Sequence, residues 1–191
     1  MNPTRSAPPA PLSVDSPLLR RAQELFERLR ERSTGRKRSV ALDAFDLAIL
    51  RILQSDNRSP HRVIAEHVNL SPPSVQRRIR RMEKTGVISA NAAIVDPNLV
   101  GLSLTIIVEL ELVSETTEEI DTIKGLLCAT PQVQQCYYVT GEADIVLVML
   151  VASMAEYEQL TRALFIENDS VRKFRTFVSM DRVKASMRLH I

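Results

Sequence analysis

The sequence predicts an α+β protein whose two halves have different hydrophobic periods and opposite charge. Between Leu42 and Thr85, apolar residues recur every three or four positions, which is typical of amphipathic helices. From Leu104 onward, apolar and polar residues alternate, as in a strand with one buried face. Residues 1–90 carry 17 basic and 9 acidic side chains, whereas residues 91–191 carry 8 basic and 14 acidic ones. We therefore expect the cationic half to bind a polyanion and the anionic half to have a different function.

Two short helices joined by a tight turn are predicted between residues 59 and 85. Ser59 and Ser71 each precede a proline, and a serine there can accept a backbone N–H bond at a helix start. Asn69 lies between the two helices and suits the left-handed conformation that ends the first one. This pattern predicts a helix-turn-helix.

Two flanking elements complete the predicted domain. A third helix is expected from Leu42 to Gln54, because its apolar residues follow the helical period. Gly86 ends the last helix, and Val87 with Ile88 is expected to continue as a strand. Three helices and one strand predict a winged helix-turn-helix.

The second helix of the pair is unusually basic. Val75, Ile79 and Met82 form its buried stripe, and arginines occupy its other faces. Residues 58–84 contain seven basic side chains against two acidic ones. A solvated helix is the alternative explanation for arginines, but it normally carries compensating carboxylates. Double-stranded DNA is therefore the expected partner.

The second half follows the order βαββαβ. Its predicted elements are a strand over 104–112, a helix from Thr116 or Thr117 to Ala129, strands over 133–140 and 144–151, a helix over 153–165 and a strand over 171–183. This order predicts a ferredoxin-like sandwich with both helices on one face of the sheet. The other face, with Ile107 and Phe177 or Val178, is expected to be covered by a second subunit related by two-fold symmetry.

The predicted domains leave a long segment in front of the first helix. We expect an N-terminal extension over 1–40, a DNA-binding domain over 41–90, a linker over 91–101 and an effector and oligomerisation domain over 102–191. The extension combines a disordered start, an amphipathic helix and a basic tether. Arg36, Lys37 and Arg38 of the tether are candidates for minor-groove contacts, and a solvated tail whose helix pads the dimer interface is the alternative.

Several classes of site and location are not expected. Cys128 and Cys136 lack a nearby His or Cys cluster, so buried reduced thiols are predicted, and neither a metal nor another cofactor is. The first residues have no apolar core, and the longest apolar run, Ile145 to Ala152, is too short to span a bilayer. A cytoplasmic protein without membrane contact is therefore predicted.

Four motifs together resemble the Lrp/AsnC (leucine-responsive and asparagine-type) transcriptional regulators. They are LDAFDLAIL at 42–50, NLSPPSVQRRIRRMEKTGVI at 69–88, VDPNLVGL at 95–102 and YVTGEADIVLVM at 138–149. The resemblance implies a winged helix-turn-helix, a ligand-sensing βαββαβ domain, and a homodimer that often associates into octamers. It also implies an amino-acid-type effector and a palindromic operator, because dimers present two recognition helices. The long N-terminal extension departs from the family pattern.

The resemblance identifies the helix from Ser71 to Thr85 as the recognition helix. The DNA-binding candidates outside the extension are Ser59, Arg62, Ser71, Ser74, Gln76, Arg77, Arg78 and Arg81. An alternative for Arg78 is a structural brace to Glu66 or Glu83.

The resemblance also places the effector pocket near one turn between strands. Thr140, Gly141, Glu142 and Asp144 are the candidate effector residues. Gly141 also suits the geometry of a β-turn, whereas Asp144 could hold the ammonium of an amino acid. The family commonly has Asp where this chain has Glu142, which bears on the choice of ligand.

Two other functions remain open from the sequence. Siroheme decarboxylases resemble these regulators in both domains, but histidines suited to catalysis are scarce here: His61, His67 and His190 are the only ones, and no catalytic residue is predicted. A metabolite-sensing regulatory subunit without DNA binding would leave the basic half unexplained. An effector-modulated, DNA-binding transcriptional regulator is therefore the predicted function.

Overall fold

A computed structural model describes residues 40–114 and 116–191, and these residues form two compact units. One unit contains the described residues up to Ile94 together with Val183–Ile191, and the other contains Val95–Arg182. The predicted extension over 1–40, with its helix and its basic tether, lies outside the described residues except for residue 40. Among the described helices, none combines the length and the apolar character needed to cross a bilayer.

The first unit is built on three helices around one apolar core. They are α1 (Ala44–Ser55), α2 (His61–Val68) and α3 (Pro72–Lys84). Ile49, Ile64, Val75 and Met82 are fully buried at the centre of this core. The helical period predicted from the sequence is therefore confirmed, because its apolar stripes meet in one cluster.

The turn between α2 and α3 has the predicted left-handed residue. Asn69 has φ 53° and ψ 46°, and its backbone N–H donates to the Ala65 carbonyl. The next N–H, that of Leu70, donates to the same carbonyl at 3.0 Å, and its side chain packs against the core. The turn thus satisfies the end of α2 and fixes the start of α3.

Of the two serines predicted to be N-caps, only one occupies that position. Ser71 is the N-cap of α3, although its hydroxyl accepts no capping hydrogen bond. Ser59 is not a cap, because Pro60 occupies the N-cap of α2 and the Ser59 hydroxyl donates to Asp56 at 3.0 Å. The prediction for Ser59 was wrong by one position.

The predicted strand at Val87 and Ile88 does not form in the described structure. Gly86 has φ 76° and turns the chain after α3, as expected. The Ile88 N–H then donates to the Met82 carbonyl at 3.1 Å, and both side chains pack against the three-helix core. Apolar character at these positions reflects packing against helices and not pairing in a sheet.

The last residues of the chain return to the helical unit. Gln54 binds the backbone of Leu189 in both directions: its amide donates to the carbonyl at 3.2 Å, and its oxygen accepts the N–H at 2.7 Å. Arg51 donates to the backbone oxygen of Ile191 at 2.6 Å, and Ile191 packs against the core. The predicted domain over 102–191 stays a prediction, and Val183–Ile191 belong to the same compact unit as α1.

The second unit has the predicted βαββαβ order. Its elements are β1 (Leu104–Leu112), α4 (Thr117–Ala129), β2 (Val133–Tyr138), β3 (Ile145–Val151), α5 (Met154–Thr161) and β4 (Val171–Val178). A π-helical turn, Arg162–Ile166, continues α5. The final strand ends at residue 178 and not near 183 as predicted.

The four strands form an antiparallel sheet in the order β2-β3-β1-β4. The buried face of β1 consists of Ile106, Val108, Leu110 and Leu112, which pack with the helices in one core. On the opposite face, Ile107 is 37% exposed and its partner in β4, Phe177, is 49% exposed. The expected uncovered sheet face is present in the single chain.

A buried carboxylate joins α1 to α3. Asp46 is 0% exposed, and its two oxygens accept hydrogen bonds from Arg78 (2.9 Å), from Arg81 and from the backbone N–H of Asp43 (3.1 Å). Asp43 caps α1 and also accepts from Arg78 at 2.7 Å. Phe45 lies 5.5 Å from the Arg78 guanidinium, measured from the ring centroid. We call Asp43, Phe45, Asp46, Arg78 and Arg81 the acid clamp.

The acid clamp depends on pH through its outer carboxylate. The Asp46 backbone N–H, and then the Arg78 guanidinium, hold the pKa of Asp43 below its usual value. The contribution of Asp43 to stability is therefore full above the pKa it has in the unfolded chain, and it is lost as pH falls through the lowered pKa of the folded state.

We expect Asp46→Ala to lower the free energy of unfolding of the helical unit by about 2–4 kcal/mol, because two arginines and one N–H lose a buried acceptor. Urea unfolding followed by far-ultraviolet circular dichroism measures the loss, since the chain has no tryptophan. Glu66→Ala is the matched control, because its pair with Arg62 is exposed and should contribute about 0.5 kcal/mol or less. Similar small losses in both variants would contradict the proposed importance of the clamp.

Candidate functional site

The outer face of α3 carries cations without counter-ions. Arg77, Arg80 and Lys84 are exposed, on the side of the helix opposite the buried stripe. No hydrogen bond or ion pair joins the side chain of any of the three to another residue within 40–114 and 116–191. Their repulsion stays uncompensated within the described chain, which makes this face suited to a polyanion. We call these three residues the cationic face.

Arg78 and Arg81 occupy a different side of the same helix. Both were predicted as groove contacts, and both bind Asp46 in the acid clamp. The Arg78 side chain is 21% exposed and the Arg81 side chain is 45% exposed. The two carboxylates that accept its hydrogen bonds raise the pKa of Arg78 further. Arg81 keeps an accessible part of its guanidinium, whereas Arg78 is largely committed to the fold.

The alternative role for Arg78 was right in kind but wrong in its partners. Arg78 braces α3 against α1 through Asp43 and Asp46. Glu66 pairs instead with Arg62 at 2.8 Å, and Glu83 accepts from Asn91 at 3.0 Å. The actual partners lie 35 and 32 positions before Arg78, at the N-cap and in the first turn of α1.

The remaining predicted DNA-binding residues lie around the helix-turn-helix. Ser71 is exposed at the start of α3, and Ser74 and Gln76 are partly buried in its first half. Arg62 is exposed on α2. Ser59 lies in the preceding turn with its hydroxyl bound to Asp56. The structure gathers Ser71, Ser74, Gln76 and Arg77 on one helix, and their contacts with DNA stay predictions.

Sequence reasoning missed two members of the cationic face. Arg80 and Lys84 were counted in the basic cluster but were not selected as candidate contacts. Their signal was present, since positions 77, 80 and 84 repeat at intervals of three and four opposite the stripe of Val75 and Ile79. The tether residues Arg36, Lys37 and Arg38 lie outside the described residues.

The predicted effector turn connects β2 to β3. Gly141 has φ 131°, a conformation that favours glycine. Thr140 and Glu142 lie on the turn, and Asp144 is partly buried at the start of β3. All four predicted effector residues therefore lie together on the connection between β2 and β3.

Asp144 has a structural role at this turn. Its carboxylate accepts the Leu112 N–H at 2.7 Å, its backbone N–H donates to Leu110 at 2.9 Å, and its carbonyl accepts the Val139 N–H at 2.9 Å. These bonds join the ends of three strands. Only one oxygen of the carboxylate accepts a hydrogen bond from the described part of the chain, so the second remains an available acceptor.

Glu142 lies beside an arginine that the sequence did not single out. Arg175 of β4 contacts Glu142 at 3.3 Å, Glu111 at 3.3 Å and Glu109 at 3.5 Å. The Glu142 carboxylate and its acidic neighbours raise the pKa of this guanidinium above its usual value. The turn thus presents adjacent negative and positive groups on the open side of the sheet, because β4 pairs with β1 there.

Two cavities in the described residues lie away from this turn. One of about 410 Å³ lies in the helical unit against α1 and is lined by Arg51, Gln54 and tail residues. Another of about 280 Å³ lies beside the π-helical turn, lined by Phe165, Ile166 and residues of β4. The effector turn itself is an open surface of the single chain.

The sequence predicted no metal site and two buried, reduced thiols. No group of three or more potential metal ligands occurs among the described residues. Cys128 and Cys136 are free thiols, as expected, but Cys128 is exposed and Cys136 only partly buried. The predicted burial was wrong for Cys128, which is exposed in the last turn of α4.

Comparisons with known proteins agree with this arrangement. The model of the winged helix-turn-helix DNA-binding family matches residues 42–89, and the model of the Lrp/AsnC ligand binding domain matches residues 105–189. An uncharacterised HTH-type transcriptional regulator, y4tD of Sinorhizobium fredii, is 40% identical over 153 residues, covering 80% of this chain and 90% of the relative. The leucine-responsive regulatory protein of Haemophilus influenzae is 35% identical and covers 78% and 90%.

Solved structures give the same result for the fold. An AsnC family regulator from Agrobacterium tumefaciens superposes with a TM-score of 0.73 at 28% identity, covering 78% of this chain and 97% of that one. A regulator from Neisseria meningitidis in complex with L-Met has a TM-score of 0.72 at 23% identity, covers 78% and 97%, and supports the fold alone. These findings confirm the predicted α+β fold class and favour a regulator over the enzyme alternative. The chain belongs to the Lrp/AsnC family of transcriptional regulators, with a DNA-binding winged helix-turn-helix and a separate ligand-binding domain.

Proposed function

We propose that this regulator binds a palindromic operator through the cationic face of α3, and that an amino-acid effector at the sheet unit modulates this binding. The observation that carries the proposal is the exposure of Arg77, Arg80 and Lys84 without any counter-ion among the described residues. Their mutual repulsion is relieved when phosphates approach, and the released counter-ions make the affinity depend on salt.

The acid clamp supports two different roles for the arginines of α3. Arg78 and Arg81 bind Asp46, so they fix the orientation of the helix relative to α1. Arg77 and Arg80 are free to reach base edges or phosphates. A recognition helix held by its own arginines meets DNA without reordering its backbone, which limits the entropy lost on binding.

A two-fold dimer is the assembly that we propose for the uncovered sheet face. This face is apolar at Ile107 and Phe177 and charged at Glu109, Glu111 and Arg175. A second copy would bury the apolar part and would relate two recognition helices by a dyad. Half-sites about one helical turn apart, or a multiple of it, follow from such a dyad. We extend the proposal to octamers built from these dimers, which the family resemblance implies.

The effector turn has charges that match both ends of an α-amino acid. Glu142, and the second oxygen of Asp144, suit an ammonium, and Arg175 suits a carboxylate. A relative with 35% identity is named as leucine-responsive, which supports an amino acid as the ligand class. The turn is open in the single chain, so we propose that a neighbouring subunit completes the pocket. We also propose a cytoplasmic location, because a regulator of bacterial type must reach the chromosome to bind its operator.

We expect Arg77→Ala and Arg80→Ala each to weaken operator binding and to reduce the slope of log affinity against log salt by about 0.9 for each phosphate that the variant no longer neutralises. Fluorescence anisotropy with the protein's own upstream DNA, at several salt concentrations, measures both effects. Arg162→Ala is the charge-matched control, since Arg162 is exposed on the π-helical turn of the sheet unit. Wild-type affinity and slope in both α3 variants would remove this face from the interface.

We expect one or a few of the twenty amino acids to raise the midpoint of thermal unfolding, because a ligand that binds only the folded state stabilises it by about 2.7 kcal/mol at 100 times its Kd. Glu142→Gln should reduce the shift, since it removes the charge that faces the ammonium. Glu158→Gln is the matched control, because Glu158 is exposed on α5. Equal shifts in both variants would exclude Glu142 from the effector site, and no shift with any amino acid would exclude this effector class.

We expect Ile107→Glu to dissociate the dimer, raising its dissociation constant at least roughly 100-fold, because each copy would bury an unpaired carboxylate. Sedimentation equilibrium over a range of protein concentrations measures this constant. Gln159→Glu introduces the same charge on the helical side of the sheet and should leave assembly unchanged. Dimers of wild-type strength in Ile107→Glu would show that another surface mediates association.

A further inference from the structure

Two cysteines meet between the last turn of α4 and the edge strand β2. Lys124 of α4 lies over the ring of Tyr138 of β2, with its ammonium 3.9 Å from the ring centroid. Cys128 follows Lys124 by one helical turn, and Cys136 precedes Tyr138 by two strand positions on the same face. The same packing that places Lys124 on Tyr138 therefore places Cys128 against Cys136.

The two thiols differ in their access to solvent. Cys128 is exposed, whereas Cys136 is partly buried and packs against the core of the sheet unit. Both are free, since no disulfide joins them. Small molecules can therefore reach the Cys128 thiol more easily than the Cys136 thiol.

The contact also shifts the pKa values of the two thiols in opposite directions. The hydrogen bond from Cys136, assisted by the charge of Lys124, lowers the pKa of Cys128 to about 6, and partial burial opposes this shift. The same bond, together with burial, raises the pKa of the Cys136 thiol. The negative end of α4 disfavours a thiolate in its last turn, so the hydrogen bond and the lysine act against the helix dipole. The pair therefore favours ionisation of Cys128 over ionisation of Cys136.

We propose that Cys128 and Cys136 form a dithiol modification site, at which Cys128 attacks low-molecular-weight disulfides and Cys136 resolves the mixed disulfide into an intramolecular one. Exposure, contact and the adjacent lysine carry this assignment. It does not depend on DNA binding or on the effector, so it can fail or hold separately from the proposed function.

The chemistry balances in two exchange steps. The Cys128 thiolate attacks one sulfur of the disulfide RSSR, forms a Cys128–SR bond and releases RS⁻. Capping removes the negative neighbour that raises the pKa of Cys136, so this thiol then loses its proton more easily. Its thiolate attacks the Cys128 sulfur, forms the Cys128–Cys136 bond and releases the second RS⁻. The two cysteines lose two protons and two electrons, and RSSR is reduced to two RSH.

The expected rate advantage of Cys128 over an ordinary thiol depends on the pH at which the reaction is measured. A thiol with a pKa near 6 is half ionised at pH 6, whereas an ordinary thiol is ionised to well under 1%. A thiolate of lower pKa is also a weaker nucleophile, which cancels most of this gain at pH 7 and part of it at pH 6. We therefore expect Cys128 to react about 10- to 20-fold faster than an ordinary thiol at pH 6, with a much smaller advantage at neutral pH.

The first test is alkylation with iodoacetamide from pH 5 to 10, followed by mass spectrometry of the peptides of the full chain. We expect the rate at Cys128 to rise with a midpoint near pH 6. Cys136→Ala should move this midpoint upward, and Lys124→Gln should move it by less. The unfolded chain in urea is the reference for an ordinary thiol. A midpoint for folded Cys128 equal to that of the unfolded chain would overturn the proposal.

The second test is oxidation with glutathione disulfide, followed by the intact mass and by peptide mapping without reduction. We expect wild-type protein to lose two hydrogen atoms and to yield a Cys128–Cys136 cross-linked peptide. Cys136→Ala should stop at the glutathione adduct on Cys128, and Cys128→Ala should react far more slowly. Wild-type protein that stops at the same adduct, or that forms only disulfides between chains, would overturn the resolving role of Cys136.

Discussion

The buried carboxylate of Asp46 is the interaction on which the DNA-binding unit depends. An ionised side chain without solvent contact is costly unless donors surround it, and here two guanidinium groups and one backbone N–H provide them. Because both guanidinium groups come from α3 and Asp46 lies on α1, these two contacts fix the angle between the two helices. The orientation of the cationic face is therefore determined from the inside of the unit, by groups that DNA does not need to touch.

The basic residues of α3 consequently serve two physical purposes. Charge alone suggests that all of them bind phosphate, but Arg78 and Arg81 face Asp46, while Arg77, Arg80 and Lys84 face solvent. The separation follows from the helical period, since neighbours in sequence point about 100° apart. Counting basic residues detects the partner class, whereas only packing separates those that hold the helix from those that can bind DNA.

Local patterns predicted much of this structure, and distant contacts account for what they missed. Asn69 and the alternating residues of β1 carry their conformations in their own side chains, so the left-handed helix end and the strand period were predicted correctly. The link from Arg78 to Asp46 spans 32 positions, and the pairing of Arg175 with β1 depends on strand register, neither of which sequence spacing reveals. Val87 was misread because an apolar residue packs equally well in a sheet or on helices. Cys128 was misread because free cysteines are usually buried, whereas this one is exposed in the last turn of α4.

The return of the last residues to α1 has a consequence for the order in which the chain acquires its structure. Three helices leave the ribosome early, yet the Gln54 amide meets the Leu189 backbone, and Ile191 reaches the core, only after the whole sheet unit has been translated. The first unit to begin folding is thus the last to be completed. Until residues 183–191 have been translated, part of the surface of α1 stays open to water and to chaperones, and a nascent chain that stalls before them carries three helices without this cover.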